Sequence, residues 1–150
     1  DVERSRGLGD VYKRQLHYAA TRAAKTGGGV EVLAIITPQD QTHWLGVAEK
    51  MREEARETIE ENFQIYSNWM KDELKLEAEL VIREGEKATE VLNQISEDKE
   101  VGVLVLGANN SSEGPGPLIS QLVSRDGGNL PIPVTIVPGS MTKERIEAVS

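Results

Sequence analysis

The chain has 150 residues, which suits one domain, and a formal net charge of -8 from 17 basic and 25 acidic residues. An acidic balance argues against a nucleic-acid partner, because affinity for a phosphate backbone comes largely from clustered cations. The absence of cysteine excludes disulfides, thiolate metal sites and cysteine nucleophiles, and no apolar run approaches the ~18 residues of a membrane span. We therefore expect a cytoplasmic domain that has no membrane partner.

The first half of the sequence predicts a helix, a strand and a long helix. Leu16 and a series of alanines recur at helical spacing over 15–25, and glycines then end that helix. The segment 30–36 is almost wholly apolar and rich in β-branched residues, which is typical of a strand buried on both faces of a parallel sheet. Apolar residues spaced by threes and fours predict an amphipathic helix over 45–74.

The next three elements are shorter. A strand at 80–82 is followed by the tripeptide Arg83-Glu84-Gly85, and helical spacing returns over 87–97. The segment 101–106 is a second strongly apolar strand, which runs directly into Gly107.

A glycine-rich loop, 107–116, separates this strand from a short helix that begins near Pro117, a residue favoured in the first turn of helices. The last strand, 134–137, lies between prolines, and Thr142 can cap a terminal helix. The alternation of strands and helices predicts one α/β domain, in which helices cover both faces of a parallel sheet.

Five sequence features resemble the universal stress protein family in their order and spacing. They are Leu16-His-Tyr-Ala-Ala20, the three glycines before the first apolar strand, Arg83-Glu-Gly85, Val103-Leu-Val-Leu-Gly-Ala108 and Pro133-Val-Thr-Ile-Val-Pro-Gly139. The resemblance covers about 16–146. It implies a three-layer Rossmann-like or flavodoxin-like fold, with an open parallel sheet of five strands in the order 3-2-1-4-5. It also implies a homodimer formed through the last strand and, in some members, binding of ATP with Mg.

The N-terminus departs from the family pattern. Family members begin with an apolar strand at the centre of the sheet, whereas 1–9 here contain four charged residues and only Val2 and Leu8 as bulky apolar ones. A strand buried on both faces cannot carry that pattern without burying unpaired charge. We therefore predict a foreign segment over 1–14, disordered or irregular at 1–9, and a universal stress protein-like domain over 15–150 whose first central strand is missing or replaced.

The glycine-rich loop is the candidate nucleotide site, because ligands of open α/β sheets bind at the carboxyl ends of strands, where the strand order reverses. ATP-binding family members have Gly-x2-Gly-x9-Gly-Ser/Thr in this region. This chain keeps the first glycine, but Asn110 and Ser120 replace the next two. The candidate nucleotide-binding residues are Gly107, Asn110, Ser111, Gly114, Gly116 and Ser120. Glu113 opposes the assignment, because a carboxylate repels phosphate unless it points outward or holds a cation.

Two interpretations of this loop stay open: it only turns the chain from strand to helix, or it also contacts phosphate. Three functions correspond to them. The first is a regulatory domain that dimerises and binds adenine nucleotide, and the second is a ligand-free module for unknown protein partners. The third is an enzyme of the adenine-nucleotide hydrolase-like superfamily.

Catalysis has little support in the sequence. His17 and His43 have no recognisable nucleophile partner and no metal-ligand spacing, so we assign neither catalytic nor metal-binding residues. Any hydrolysis of bound ATP is expected to be slow. The last strand is the candidate dimer interface, because an apolar strand at a sheet edge is usually covered or paired. Its residues are Val134, Thr135, Ile136 and Val137.

Overall fold

The computed structural model describes residues 2–37, 45–108, 116–124 and 130–150, with side chains described from Arg14 onward and, in the second range, from Glu49 onward. Strands and helices alternate along these ranges. They are α1 (Val2–Thr26), β1 (Val30–Ile36), α2 (Leu45–Leu74), β2 (Ala78–Glu84), α3 (Lys87–Glu97), β3 (Leu104–Ala108), α4 (Pro117–Ser124), β4 (Val134–Pro138) and α5 (Lys143–Val149).

The four strands form two parallel pairs. β1 pairs with β2 from Val30 opposite Ala78 to Ile36 opposite Glu84, and β3 pairs with β4 from Leu104 to Ala108. Within the described residues the two pairs are separate sheets. β3 begins later than the predicted 101, because the main-chain N–H of Val101 donates to the carbonyl of Asp98 in a preceding turn.

Contacts and connections of α1 relate the two strand pairs to each other. Arg14, near the middle of α1, donates from Nε to the carbonyl of Met141, which lies just past the end of β4, at 2.8 Å. The other end of α1 leads through three glycines directly into the start of β1. This placement is the one expected when all four strands share one orientation.

The inner strands of the two pairs are β1 and β3. Both contact α1, and side chains of both join one apolar cluster beneath α3 and α4. The strand order is therefore β2-β1 and β3-β4, with an open position between β1 and β3 in the described residues. These pairs match 3-2 and 4-5 of the expected order 3-2-1-4-5. The α/β fold with parallel strands is confirmed, and the expected central position holds no strand among the described residues.

Alternate side chains of β1 point to opposite faces of the sheet, and the core has a part on each face. Val30 and Val32 pack with Ala20, Ala23 and other side chains of α1 and α2 on one face. Leu33 and Ile35 point the other way, as successive side chains of a strand do. They join the cluster on the α3 and α4 face, whose buried members are Ala88, Val91, Ile95, Leu106, Ala108, Ile119 and Leu122. One apolar cluster thus spans both sheets, so the strands are not divided between separate cores.

The long helices α1 and α2 lie on the same face. Met70 of α2 is fully buried against Ala20 and Ala23 of α1, whereas Ile65 on another side of α2 is 66% exposed. This contrast is the amphipathic pattern of a surface helix. In the described part of the chain, no helix is both long and apolar enough to cross a membrane.

The N-terminal segment differs from the expectation. We expected 1–9 to be disordered or irregular, but residues 2–9 have helical backbone, as the beginning of α1. Once the helix over 15–26 is formed, adding a residue at its end fixes few new dihedral angles for each hydrogen bond gained, so the helix extends at little cost. The foreign origin of 1–14 and the boundary at 15 stay predictions.

Candidate functional site

The candidate site lies at the carboxyl ends of the strands, next to the open position. The connection from β1 leads to β2 on one side of this position, and the connection from β3 leads to β4 on the other. Such a reversal is where open α/β sheets form a ligand crevice. Gly107 is the penultimate residue of β3, which places it at the edge of this crevice.

The main-chain groups of Gly107 face the crevice. Leu104 donates its main-chain N–H to the carbonyl of Pro133 at 3.0 Å, so Leu104 faces β4. In a parallel strand, successive residues direct their N–H and C=O groups to opposite neighbours, so Val105 and Gly107 face away from β4. The carbonyl of Val105 accepts a hydrogen bond from Gln15 Nε2 at 2.6 Å on that side. Gly107 therefore offers a main-chain donor and acceptor to the crevice.

The far end of the glycine-rich loop is the start of α4. Gly116 has φ +114°, a conformation that L-residues with a side chain rarely adopt, and its carbonyl accepts from the N–H of Ser120 at 3.2 Å. Ser120 is exposed in the first turn of α4. Ala108 and Ile119 share one apolar cluster, which anchors the two ends of the loop to the same core.

The remaining candidate nucleotide residues, Asn110, Ser111 and Gly114, lie outside the described residues, as does Glu113. The structure thus places Gly107, Gly116 and Ser120 at the two ends of the loop, and the assignment of the loop's middle stays a prediction. His43 also falls outside the described ranges.

Two arginines of α2 reach the carboxyl end of β2. Arg52 Nε is 3.1 Å from Glu84 Oε1, and Arg56 Nη2 is 3.8 Å from Glu84 Oε2. The sequence predicted the amphipathic helix that carries these arginines but not their shared partner. The available signal was their spacing by four residues, which puts both on one side of the helix. Because all three side chains are partly exposed, the pairs contribute little to stability and mainly orient the cations near the strand ends.

A polar network connects α3 to β1 and β2. Arg83 Nε donates to Glu90 Oε1 at 2.8 Å, Arg83 Nη1 donates to Gln94 Oε1 at 2.9 Å, and Arg83 Nη2 lies 2.8 Å from Glu97 Oε2. Gln94 in turn donates from Nε2 to Glu31 Oε1 at 3.0 Å. Sequence reasoning used Arg83 only as part of a motif. The spacing of Glu90, Gln94 and Glu97 along one helix side was the signal that it missed.

The electrostatics of this network centre on Glu31. Burial raises the pKa of the Glu31 carboxyl above its ordinary value, and a hydrogen bond with Asp98 raises it further. In this arrangement the guanidinium of Arg83 is surrounded by side-chain acceptors of α3, so the network is suited to holding a helix on a sheet.

The backbone conformation of Gly85, the last residue of the Arg83-Glu84-Gly85 motif, explains why a glycine stands there. Its φ is +146°, and a Cβ built there would lie 2.8 Å from Cγ of Glu90. Its N–H donates to the carbonyl of Ile36 at 3.0 Å, which extends the pairing of β1 and β2 by one bond. Glycine is required here because a side chain would both strain the backbone and displace the partner of Arg83.

His17 lies among three helices. Its ring meets Trp69 edge-on, with ring centroids 5.4 Å apart, and its Nε2 is 3.3 Å from Glu147 Oε1. These contacts tie α1 to α2 and α5 and explain His17 as a packing residue. In 14–37, 49–108, 116–124 and 130–150, no group of histidine and acidic side chains is arranged to hold a metal ion.

The candidate dimer residues lie on the outer strand β4. Since Pro133 faces β3 through its carbonyl, the alternation of the backbone places the main-chain groups of Val134 and Ile136 on the outer edge. Ile136 is 41% exposed, whereas Val137 is 2% exposed and belongs to the core. Within the described residues β4 pairs with β3 alone, so its outer edge is available for pairing.

Comparison with known proteins supports the fold. No protein-family model and no curated protein matches the chain. The chain is similar to the solved structure of universal stress protein UspA from Lactobacillus plantarum, with a TM-score of 0.72 and 13% identity over 85% of this chain and 90% of that one. It is also similar to the structure of hypothetical protein MJ0577, described as a structure-based assignment of biochemical function, with a TM-score of 0.53 and 21% identity over 83% and 88% of the two chains.

These likenesses confirm the fold that the sequence resemblance implied. The chain has the parallel α/β fold of universal stress proteins. At such identities the comparison establishes architecture, and function is argued separately below.

Proposed function

We propose that the chain is a universal stress protein-like regulatory domain of the cytoplasm, which forms a homodimer and binds adenine nucleotide as Mg-ATP at the loop after β3. The proposal depends above all on one observation. Gly107 directs main-chain groups into the crevice between β1 and β3, at the carboxyl ends of the strands. Main-chain N–H groups in glycine-rich turns are suited to phosphate oxygens.

The start of α4 supports the same site. The N-terminus of a helix favours anions, because its first N–H groups lack partners within the helix and carry partial positive charge. Ser120 adds an exposed hydroxyl in the first turn of α4. Gly116, which has a positive φ, forms the turn that leads into this helix. Asn110, Ser111 and Gly114 complete the proposed site from the loop's middle.

Nucleotide binding is tested by thermal unfolding with and without millimolar Mg-ATP. A ligand that binds the folded state raises the melting temperature by mass action, and we expect a rise of several degrees. Ser120→Ala is expected to reduce this rise. Ser124→Ala is the matched control, since Ser124 is an exposed serine at the far end of the same helix, and it is expected to keep the rise.

The outcomes separate the candidate functions. An unchanged melting temperature at millimolar Mg-ATP would leave the ligand-free interaction module. Phosphate release at ordinary catalytic rates, lost in Ser120→Ala and retained in Ser124→Ala, would instead indicate an adenine-nucleotide hydrolase-like enzyme. We assign no catalytic residue, and expect ATP hydrolysis to be slow.

The proposed homodimer uses the outer edge of β4. Val134 and Ile136 present main-chain donors and acceptors there, and exposed strand edges are commonly covered or paired. Two copies related by a two-fold axis would pair these edges antiparallel, each satisfying the other. Exposure of the Ile136 side chain adds apolar surface to the same edge.

The dimer is tested by measuring molar mass in light scattering. Ile136→Pro removes the outward N–H while the bonds of β4 to β3, made by its neighbours, remain, so we expect the molar mass to fall toward that of a monomer. Ile136→Val keeps the N–H and serves as the control. Equal masses for both variants would place the interface elsewhere or show that the chain is monomeric.

A further inference from the structure

The N-terminal half of α2 extends past the carboxyl ends of the strands. α2 has 30 residues and β2 has 7, so the helix is about 45 Å long and the strand about 23 Å. Met70 of α2 belongs to one apolar cluster with Val30 and Ala78, the first residues of β1 and β2. Arg52 reaches Glu84 instead, the last residue of β2. The helix is therefore antiparallel to these strands, and its first half overhangs the edge where open α/β sheets bind ligands.

The side of α2 that faces this edge is cationic. Arg52 precedes the fully buried Met70 by five turns of an α-helix, so both lie on the same side of α2. Arg56 follows Arg52 by four residues and shares that side. The two arginine side chains are 47% and 45% exposed, as expected where the helix has passed the end of β2. By the same periodicity, the exposed residues Lys50 and Glu54 lie on the opposite side of the helix.

Glu84 is an incomplete partner for this pair of arginines. Its Oε1 is 3.1 Å from Arg52 Nε, but its Oε2 is 3.8 Å from Arg56 Nη2, which is beyond hydrogen-bond range. One carboxylate also neutralises only one of the two positive charges. Within the described residues, the cluster of Arg52, Arg56 and Glu84 therefore retains one net positive charge and guanidinium donors for a further anion.

A phosphate group fits these donors better than the carboxylate does. Guanidinium groups bind phosphate through paired N–H groups, and such charge-assisted bonds are about twice as strong as neutral ones. The oxygens of phosphate are arranged tetrahedrally, so each guanidinium can bind an oxygen of its own. The planar carboxylate of Glu84, in contrast, approaches only Arg52 closely.

We propose that Arg52 and Arg56 form a phosphate-binding site at the carboxyl end of β2, in which Glu84 is an internal competitor that the phosphate displaces. The ligand is free phosphate or a phosphate ester. The site is separate from the proposed nucleotide site, which lies at β3 and α4. Because the exposed pairs with Glu84 contribute little to stability, exchanging them for phosphate costs little folding free energy.

The test titrates inorganic phosphate into the intact chain and follows the Nε–Hε signals of arginine side chains by NMR. The ionic strength is held constant, because salt screens exposed charges. We expect the signals of Arg52 and Arg56 to shift together along one saturable curve. Shifts that do not saturate would overturn the site.

Two variants of α2 separate specific binding from general surface charge. Arg52→Gln is expected to weaken phosphate binding about tenfold, followed through the signal of Arg56, because one set of charge-assisted hydrogen bonds is lost. Lys50→Gln is the matched control, since it removes the same charge from the opposite side of the same helix, and it should leave the affinity unchanged. Equal weakening by the two variants would contradict the proposal.

Two variants of β2 test the competition by Glu84. Glu84→Gln removes the internal anion, so phosphate is expected to bind several-fold more tightly. Glu79→Gln removes the same charge from an exposed residue near the other end of the strand and serves as the control. If Glu84→Gln binds phosphate no more tightly than Glu79→Gln does, Glu84 is not a competitor and the proposal fails.

A further comparison separates this site from the glycine-rich loop. Ser120→Ala should leave phosphate binding unchanged, and binding lost in Ser120→Ala but retained in Arg52→Gln would overturn the assignment to α2. Glycerol phosphate, a simple ester, is titrated in the same way. A higher affinity for the ester identifies the ligand as a phosphate carried by a larger molecule, and a higher affinity for inorganic phosphate identifies free phosphate. Failure of both to bind would overturn the proposal.

Discussion

The two strand pairs share one geometry but are held in different ways. β1 and β2 pair over 7 residues each and are fixed to α3 by the charged network of Arg83. β3 and β4 pair over 5 residues each, and side chains such as Leu106, Leu122 and Val137 hold them by apolar packing. Parallel pairing alone therefore does not determine how a sheet is anchored.

This difference relates to the proposed function. The β1–β2 pair ends in a turn that is fully specified by Gly85 and its hydrogen bond to Ile36. The β3–β4 pair instead continues from Gly107 into the glycine-rich loop. The β1–β2 half thus adds the polar network of Arg83 to an apolar cluster that it shares with the β3–β4 half, which carries the candidate nucleotide site.

The largest expected effect tests the apolar anchoring of the β3–β4 half. Leu122→Ala removes a side chain that is 0% exposed, and loss of transfer energy plus the remaining cavity should lower the free energy of unfolding by about 2–5 kcal/mol. Val123→Ala, at the adjacent residue that is 53% exposed, is the control and should change it by less than about 0.5 kcal/mol. Urea unfolding measures both, and similar losses would contradict the assigned core.

The turn of the β1–β2 half is tested by Gly85→Ala. The new Cβ meets Glu90 at 2.8 Å and the backbone is strained, so we expect a loss of about 1–3 kcal/mol in unfolding free energy. Gly102→Ala, where nothing lies within 4 Å of the added Cβ, is the matched control. Equal losses for Gly85→Ala and Gly102→Ala in chemical denaturation would contradict the close approach of Glu90 to Gly85.

Much of the fold could be predicted from sequence, because its signals are local. The apolar runs and helical spacing predicted β1, α2 and α3 at the bounds that the structure has. The predicted start of β3 was wrong, because Val101 belongs to a turn with Asp98 and the bonds to the neighbouring strand begin only at Leu104, whose N–H donates to Pro133. The extension of α1 to Val2 was also missed, because the charges that exclude a buried strand do not exclude a helix.

Less of the candidate site could be predicted from the sequence. Gly107 was predicted from the end of a strand, but its direction toward the crevice depends on the register of β3 with β4. The network of Arg83 joins residues from two strands and a helix, so no local pattern defines it. Val134 and Ile136 were predicted as edge residues, while the outward direction of their main-chain groups required the hydrogen bond of Leu104.

A smaller effect is expected at the helix that follows β4. Thr142 Oγ1 accepts from the N–H of Arg145 at 3.1 Å, so Thr142→Ala should cost about 1 kcal/mol through loss of the helix cap. Thr58→Ala is the contrast, because Thr58 is an exposed residue within α2 whose hydroxyl bonds back to Glu54. Alanine is the better helix former there, so thermal unfolding should show no loss. A loss at Thr58 as large as that at Thr142 would contradict the assigned cap.

The smallest expected effect tests the electrostatics of Glu31 in the β1–β2 half. The raised pKa of Glu31 means that the folded state binds this proton more tightly than the unfolded state does, so stability from Glu31 is lost as pH rises through its folded pKa. Glu31→Gln resembles the protonated form at every pH. We expect it to be more stable than the parent chain at pH 7 by no more than about 0.5 kcal/mol.

This advantage should disappear as pH falls below the pKa of Glu31, which unfolding curves at neutral and acidic pH measure. Glu53→Gln is the control on α2, since Glu53 is exposed and lies on an element that does not contribute to the network of Glu31. If the stabilisation by Glu31→Gln instead grows as pH falls, the pKa of Glu31 is not raised in the folded state, and burial does not act as described.

The common direction of the two strand pairs is tested most directly by distances between spin labels, which the absence of native cysteine makes simple to introduce in pairs. Exposed residues mark the strand ends: Gly29 and Thr37 for β1, Val103 before β3 and Ser140 after β4. The structure predicts short distances for Thr37 with Ser140 and for Gly29 with Val103, and longer distances for Thr37 with Val103 and for Gly29 with Ser140. The reverse ranking would show that the two pairs run in opposite directions and would contradict the fold.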